Sequence, residues 1–185
     1  MRKITAGLFV SLDGVAEAHD GWHFPFLTEE WQRLIAARLP QADAVLLGRR
    51  TFVEFTRVWP PQGTDTPMAA FMNTTRKYVV STTLDDVDAL GWANSTLLTG
   101  DLVEELTRLK QQPGGDIILL GSPSLVPQLL DKRLLDELTL TICPIVIGSG
   151  LRLFDKATDR VHFRVRESTA LSNGVLVITY QPTGD

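Results

Sequence analysis

Two glycine-centred turns hold the residues best suited to gripping an anion. Gly48-Arg49-Arg50-Thr51-Phe52 follows the apolar run Ala44 to Leu47, and Gly121-Ser122-Pro123-Ser124-Leu125 follows Ile117 to Leu120. A strand that stops at a glycine and opens a helix aims unpaired backbone N–H groups and a positive helix end at one place, which suits a phosphate. Arginine adds a planar fork that bonds phosphate bidentately and stays charged. Arg49, Arg50 and Thr51 therefore read either as phosphate-gripping side chains or as solvated residues where a strand ends. In the second turn, Ser122 is expected as a helix N-cap and Pro123 as the first helical residue, where its missing N–H would be unpaired anyway.

Two more strand ends carry polar residues. Asp13-Gly14 closes the alternating run Ile4 to Leu12, and Ser81-Thr82 ends the run from Lys77. In an open α/β sheet, ligands bind at the carboxyl ends of strands, so all four places could serve one crevice. Asp13 could orient a substrate N–H or relay a proton, or only close an Asx-type turn, and Gly14 lets the backbone turn sharply. Glu29 and Glu30 fall in the first turn of a helix capped by Thr28, where acids favour the dipole without any further role. Trp22, His23, Phe24 and Phe26 form either an apolar wall over a substrate or a loop packed on the core. His19 and His23 are four apart across Gly21 with no suitably spaced third ligand, so no metal site is expected.

These places need a scaffold, and the chain supplies one. Its 185 residues are expected to fold as one domain, 1–185, large enough to bury about 70% of the unfolded surface. The net charge of −4, with no basic run, argues against a nucleic-acid surface. Cys143, the single cysteine, sits in an apolar strand and reads as a packing residue. Met1-Arg2-Lys3, the apolar run and Ala16-Glu17-Ala18 imitate a signal peptide, but Thr5, Ser11 and Asp13 interrupt the run. No run is long enough to span a membrane, and the cytoplasm is the expected location.

Strand and helix patterns alternate. Strands are expected at Ile4–Leu12, Ala44–Leu47, Lys77–Ser81, Ser95–Leu98, Ile117–Leu120, Glu137–Cys143 and Val175–Gln181, with a weaker one near Phe163. Helices are expected from Thr28, from Arg50 to Phe55, after the Asp101-x-x-Glu104 cap, and from Pro123 to about Leu130 with an irregular first turn at Pro127. Pro60 to Pro67 reads as a polar loop. The order implies an α/β fold: a mostly parallel sheet, an antiparallel C-terminal edge strand, and helices on both faces.

Ser11-Leu12-Asp13-Gly14, Gly48–Phe52 and the stretch from Gly121 through DELTLT and PIVIGSG to Phe154 resemble the three-layer dihydrofolate reductase-like fold. The resemblance is to the branch close to the reductase domain of riboflavin biosynthesis. It covers nearly the whole chain, without the zinc deaminase signature of the bifunctional enzyme. It implies an NADPH-dependent reductase passing hydride to a C=N or C=O group of a small heterocyclic, pterin- or pyrimidine-like, or ribityl-type substrate. It assigns phosphate binding to Gly48, Arg49, Arg50, Thr51 and the turn Gly121, Ser122, Pro123, Ser124 and Leu125. Ser81 and Thr82 would meet the adenosine end, and Gly14 the nicotinamide. Asp13, with Glu29 or Glu30, would contact the substrate, and Thr141 matches the threonine that hydrogen-bonds the protein's substrate-binding carboxylate on the first helix. A homodimer is implied, with no membrane or nucleic-acid partner. The rival readings are a non-catalytic nucleotide- or ligand-binding protein and an authentic dihydrofolate reductase.

Overall fold

Strand alternation at the N-terminus is realised in β1 (Ile4–Ser11), where Ile4, Ala6, Leu8 and Val10 are all buried. The structure is a computed structural model and describes residues 1–17, 20–155 and 159–184. Its other elements are α1 (Glu29–Ala36), β2 (Ala42–Gly48), α2 (Arg49–Val58), α3 (Pro67–Thr74), β3 (Arg76–Val80), β4 (Ser95–Leu98), α4 (Leu102–Gln111), β5 (Asp116–Leu120), α5 (Leu125–Asp131), β6 (Glu137–Cys143), β7 (His162–Ala170) and β8 (Leu176–Thr183). Among the described residues no helix is long and apolar enough to cross a membrane. The chain divides into two compact units: Met1–Lys3 with Ala36–Ser122, and Ile4–Ile35 with Pro123–Asp185.

In the first unit the strands run in the order β4-β3-β2-β5, every pair parallel. Gly48 lies opposite Val80, and Leu46 opposite Leu119. That register brings the C-terminal ends of β5, β2 and β3 level. Val45, Leu47, Phe52, Met72, Val79 and Trp92 make the core, with Phe52 stacked on Trp92 at 5.6 Å. Asp101 caps α4 as expected, accepting from the N–H groups of Val103 and Glu104. Helix α3 was not expected. Its start obeys ordinary rules, since the Thr66 hydroxyl accepts from Ala69 N and Pro67 is the first helical residue. Its residues PMAAFMNT show no polar stripe by which a helix could be told from a loop.

The second unit is where the sheet becomes mixed. β1 and β6 are parallel, while β6–β8 and β8–β7 are antiparallel. The antiparallel C-terminal edge is thus two long strands rather than one. Its core holds Trp22, Cys143, Leu171, Val175 and Val177, with Phe9, Trp31 and Leu34 packed against it. Cys143 is fully buried, and burial pushes its thiol up to about 12, in keeping with a packing role.

Helix α5 begins two residues later than expected. Ser122 has φ +53 and Gly121 has φ +60, so the chain makes a left-handed step before the helix, and Ser122 is not its N-cap. Ser124 takes that position without a side-chain bond. Pro127 then falls third in the helix, where an N–H has no intrahelical partner, so it removes no bond.

Candidate functional site

The first unit knits its two glycine turns together. The Gly48 N–H donates to Ser122 Oγ at 2.8 Å, and the Ser122 N–H donates to Thr51 Oγ1 at 3.0 Å. Thr51 and Ser122 are buried, so both bonds form away from water, where an unpaired group would be costly. Gly121 is needed for two reasons. Its φ is +60, and a Cβ there would lie 2.9 Å from Thr51 Cγ2. The left-handed turn at 121–122 can therefore press against α2 only with glycine first.

This contact leaves the N-terminus of α2 distinctive. Its N-cap is Gly48, which offers no side-chain cap, and its first turn contains no acid but carries Arg49 and Arg50, both exposed. Cations at the positive end of a helix cost roughly 0.3–1 kcal/mol each. An anion at that end reverses the sign, because the uncapped N–H groups, the dipole and the guanidiniums then all favour it. The donor set and the glycine cradle suit a phosphate group.

Ser81 stands at the level end of β3, one residue beyond Val80, the partner of Gly48. Its buried hydroxyl accepts from Thr83 N at 3.1 Å and Leu84 N at 3.0 Å, closing a turn, and Thr82 is exposed beside it. Three expected strand ends thus share one end of the first unit. Pro123, Ser124 and Leu125 continue the Gly121-Ser122 turn, with the Leu125 side chain buried.

In the second unit, three donors hold the Asp13 carboxylate. It accepts from Ser11 Oγ at 2.7 Å, Ile147 N at 3.1 Å and Gly148 N at 2.8 Å. These bonds hold it down to about 2, so it stays ionised and locks the loop after β6 to the end of β1. Arg152 completes the lock, donating from Nε to the Asp13 carbonyl at 3.0 Å and from Nη2 to the Gly148 carbonyl at 3.3 Å. Gly14 has φ +83 and, with Val10, Leu140, Leu153 and Phe154, lines a small apolar recess of about 250 Å³.

The expected pairing of a glutamate with Thr141 is absent. Glu30 accepts from Ser172 N at 3.0 Å and Ser172 Oγ at 2.7 Å, which hold its carboxyl below the usual range. Glu29 is exposed and 3.5 Å from Arg33. The buried Thr141 hydroxyl instead accepts from Trp31 Nε1 at 3.2 Å. Trp31 packs on Phe9 at 5.0 Å, Phe9 on His23 at 4.9 Å, and His23 on Phe24 at 4.5 Å. Burial holds the His23 imidazole below its usual range, and so neutral at pH 7. His19 lies outside the described residues, and among those described no cluster of ligands could hold a metal.

Sequence reasoning did not single out Trp31, Ser172 or Arg152. Trp31 lies in the helix expected from Thr28, and its bond to Thr141 spans 110 residues. The glycines of the 148–150 loop were a usable signal for Asp13, because free loop N–H groups need an acceptor.

Comparison with known proteins agrees with this architecture. A family model, the RibD C-terminal domain, matches residues 2–177. The chain is 30% identical over 187 residues to the uncharacterized protein YyaP of Bacillus subtilis, covering 99% of this chain and 96% of that one. It superposes with a TM-score of 0.74 and 21% identity on a putative riboflavin biosynthesis protein from Shewanella sp. PV-4, covering 98% and 99% of the two chains. A pyrimidine reductase-like protein from Corynebacterium diphtheriae gives a TM-score of 0.69 at 17% identity, covering 100% of this chain and 93% of that one. The fold is the α/β, dihydrofolate reductase-like one.

Proposed function

The chain belongs to the RibD C-terminal domain family, and from that premise we propose that it is an NADPH-dependent reductase acting on a C=N or C=O group of a small planar substrate. The observation that supports this most is the uncapped N-terminus of α2, with Arg49 and Arg50 in its first turn and Ser122 bonded to both Gly48 and Thr51. Those residues would hold the dinucleotide phosphates. Ser81 and Thr82, level with them, would meet the adenosine end.

When bound, the cofactor supplies the hydride, and the protein supplies binding, orientation and a dry site. Asp13 would act by holding the 147–148 backbone in place. As an anion with a pKa near 2 it has no proton to give at neutral pH, so the proton would come from water or the substrate. Reduction of dihydrofolate itself is disfavoured. Neither glutamate meets Thr141, whose hydroxyl accepts the Trp31 indole N–H, and Glu30 is bound to Ser172.

Titration calorimetry with NADPH and then NADH tests the proposal. NADPH should bind more tightly, and Arg50→Ala should weaken it by about ten- to a hundred-fold, the effect of one charge-assisted hydrogen bond. Absence of binding by either nucleotide would refute the cofactor assignment.

A further inference from the structure

A polar cavity of about 690 Å³ opens in the first unit where β2, β3 and β4 begin, lined by residues that include Arg2, Ala42, Asp43, Arg76 and Thr96. The glycine turns lie at the other end, where β2 and β5 stop, and the seven residues of β2 set the two places roughly 20 Å apart. We propose that this cavity is a second ligand site for a small hydroxylated anion, whose carboxylate or phosphate meets Arg76 and whose hydroxyls meet Thr75, Thr96 and Gln112. The proposal stands apart from the cofactor reading and does not need it.

The strands themselves make the space. Ala44 is the register partner of Arg76, and Ala42, two residues earlier, lines the cavity. Larger side chains at these positions would fill the room beside Arg76. The β2–β5 register slips between Ala42 and Ala44, and a bulge of this kind re-aims a side chain. Here it is Asp43, which accepts from Gly115 N at 2.9 Å and pairs with the buried Arg2 guanidinium. Arg2 Nε in turn donates to Gly115 O at 2.7 Å. At the start of β4, Asn94 Nδ2 donates to Thr74 O at 3.2 Å and Ser95 Oγ to Trp92 O at 2.7 Å. The walls are thus tied in place without a ligand.

Charge sets the sign of the ligand. The charged lining residues are Arg2, Asp43 and Arg76, and Asp43 acts on both arginines, so two positive charges and one negative leave +1. Arg76 is exposed, and among the described residues its guanidinium donates to the Tyr78 hydroxyl alone, at 3.4 Å. A guanidinium has five N–H donors, so most of this fork is open to a carboxylate or phosphate. The C-terminal ends of α3 and α4 would oppose an anion, but each is offset by cations. Lys77 Nζ donates to the Met72 and Thr75 carbonyls, and α4 carries Arg108 and Lys110 in its last turn. A cationic ligand would find one carboxylate, already holding Arg2.

Polarity sets the rest of the ligand. Among the described residues no aromatic side chain lines the cavity, so a flat ring has nothing to stack on. Thr75, Thr96 and Gln112 line it instead. Thr96 is the register partner of Tyr78, which puts it on the same sheet face as Arg76. Hydroxyls and an amide beside a guanidinium suit a hydroxylated acid, a chemistry that sugar acids and sugar phosphates share.

The test follows the amide signals of the intact chain by two-dimensional NMR as gluconate, glucose 6-phosphate, glucitol, glucosamine and inorganic phosphate are each added. Saturable shifts at Thr75, Arg76, Thr96 and Gln112 are expected with gluconate or glucose 6-phosphate, and the tighter of the two identifies the acid group. Neutral glucitol, cationic glucosamine and inorganic phosphate should bind at least about ten-fold more weakly. Arg76→Gln should weaken the sugar anion by about ten- to a hundred-fold, the effect of one charge-assisted hydrogen bond, and Thr96→Val by about three- to ten-fold. Both side chains are exposed, so neither variant disturbs the core. Equal binding of glucitol, glucosamine or inorganic phosphate would overturn the inference, as would the absence of saturable shifts with either sugar anion. Unchanged affinity in Arg76→Gln would do the same. So would shifts confined to Arg49, Arg50 and Thr51, which would place the anion at the glycine turns.

Discussion

The Thr51 hydroxyl accepts the backbone N–H of Ser122 across 71 residues at 3.0 Å, and this bond lets two strand ends act as one anion cradle. Gly121 is the hinge of that contact. The left-handed backbone costs an alanine about 1–2 kcal/mol, and the added methyl would meet Thr51 Cγ2 at 2.9 Å. Gly121→Ala should therefore destabilise the protein by more than Gly63→Ala, whose φ is also positive but whose surroundings are open. Thr51→Ser, which removes Cγ2 and keeps the acceptor, should recover the steric part in the double variant. Chemical denaturation of the four proteins checks this, and equal losses for the two glycine variants would show that the Thr51 contact is immaterial.

Removing the acceptor itself has a separate effect. Thr51→Val leaves the Ser122 N–H buried and unpaired, at a cost of about 1–3 kcal/mol. The anion cradle should loosen with it, so NADPH affinity should fall even though Thr51→Val changes no charge. Calorimetry alongside thermal unfolding measures both, and full affinity in a destabilised variant would detach Thr51 from the proposed phosphate site.

Asp13 predicts an acid-dependent lock. Its folded pKa of about 2 lies below the ordinary 3.8, so folding favours the ionised form. The stability it contributes is present above pH 3.8 and is lost as pH falls through 2. Asp13→Asn should destabilise the protein at pH 7, and the gap from wild type should narrow as pH falls below about 4. Denaturant unfolding at pH 7, 4.5 and 3 measures that gap. A gap that stays constant down to pH 3 would mean the carboxylate charge is not what holds the 147–148 loop.

What could be read from the chain divides by distance along it. The buried alternation of β1, the Asp101 cap of α4 and the glycine–arginine turn at 48–50 are local patterns, visible in a few consecutive residues. Helix α3 escaped because an apolar run without a polar stripe has no period to reveal it. Most of β7 was invisible because an exposed end strand, HFRVRESTA, need not alternate. At the site, the residue types were legible but their partners were not. Ser122 bonds Gly48 instead of capping α5, and Trp31 takes the hydroxyl of Thr141; both pairings are set by tertiary packing.

Glu30 separates a ligand role from a structural one. Its carboxylate ties α1 to the turn at Ser172 in solvent-exposed bonds. Glu30→Gln should therefore leave NADPH affinity unchanged and lower stability slightly at neutral pH. Because its folded carboxyl is held below the usual range, that stability should fade as the solution is acidified. A large loss of ligand binding would return Glu30 to the pocket.

Lys77 makes a prediction of the same sign in the alkaline range. The side chain is fully buried, with Nζ donating to Met72 O at 3.0 Å and Thr75 O at 2.7 Å, and lying 4.7 Å from the Trp92 ring centroid. It closes the C-terminal end of α3 at the Met72 and Thr75 carbonyls, while Asn94 Nδ2 meets Thr74 O at 3.2 Å. Burial lowers its pKa from 10.5 to about 8, so the folded protein releases this proton sooner than the unfolded chain does. Between those two values the unfolded state binds more protons, and stability rises with pH on this account. Lys77→Met cannot show that rise. The difference in unfolding free energy between wild type and Lys77→Met should therefore grow in favour of wild type from pH 7.5 to pH 10, whatever its sign at neutrality. Urea titrations of both proteins across that range isolate the lysine from other groups that titrate there. A flat difference would mean that the buried ammonium is fully compensated by the Met72 and Thr75 carbonyls and the Trp92 face.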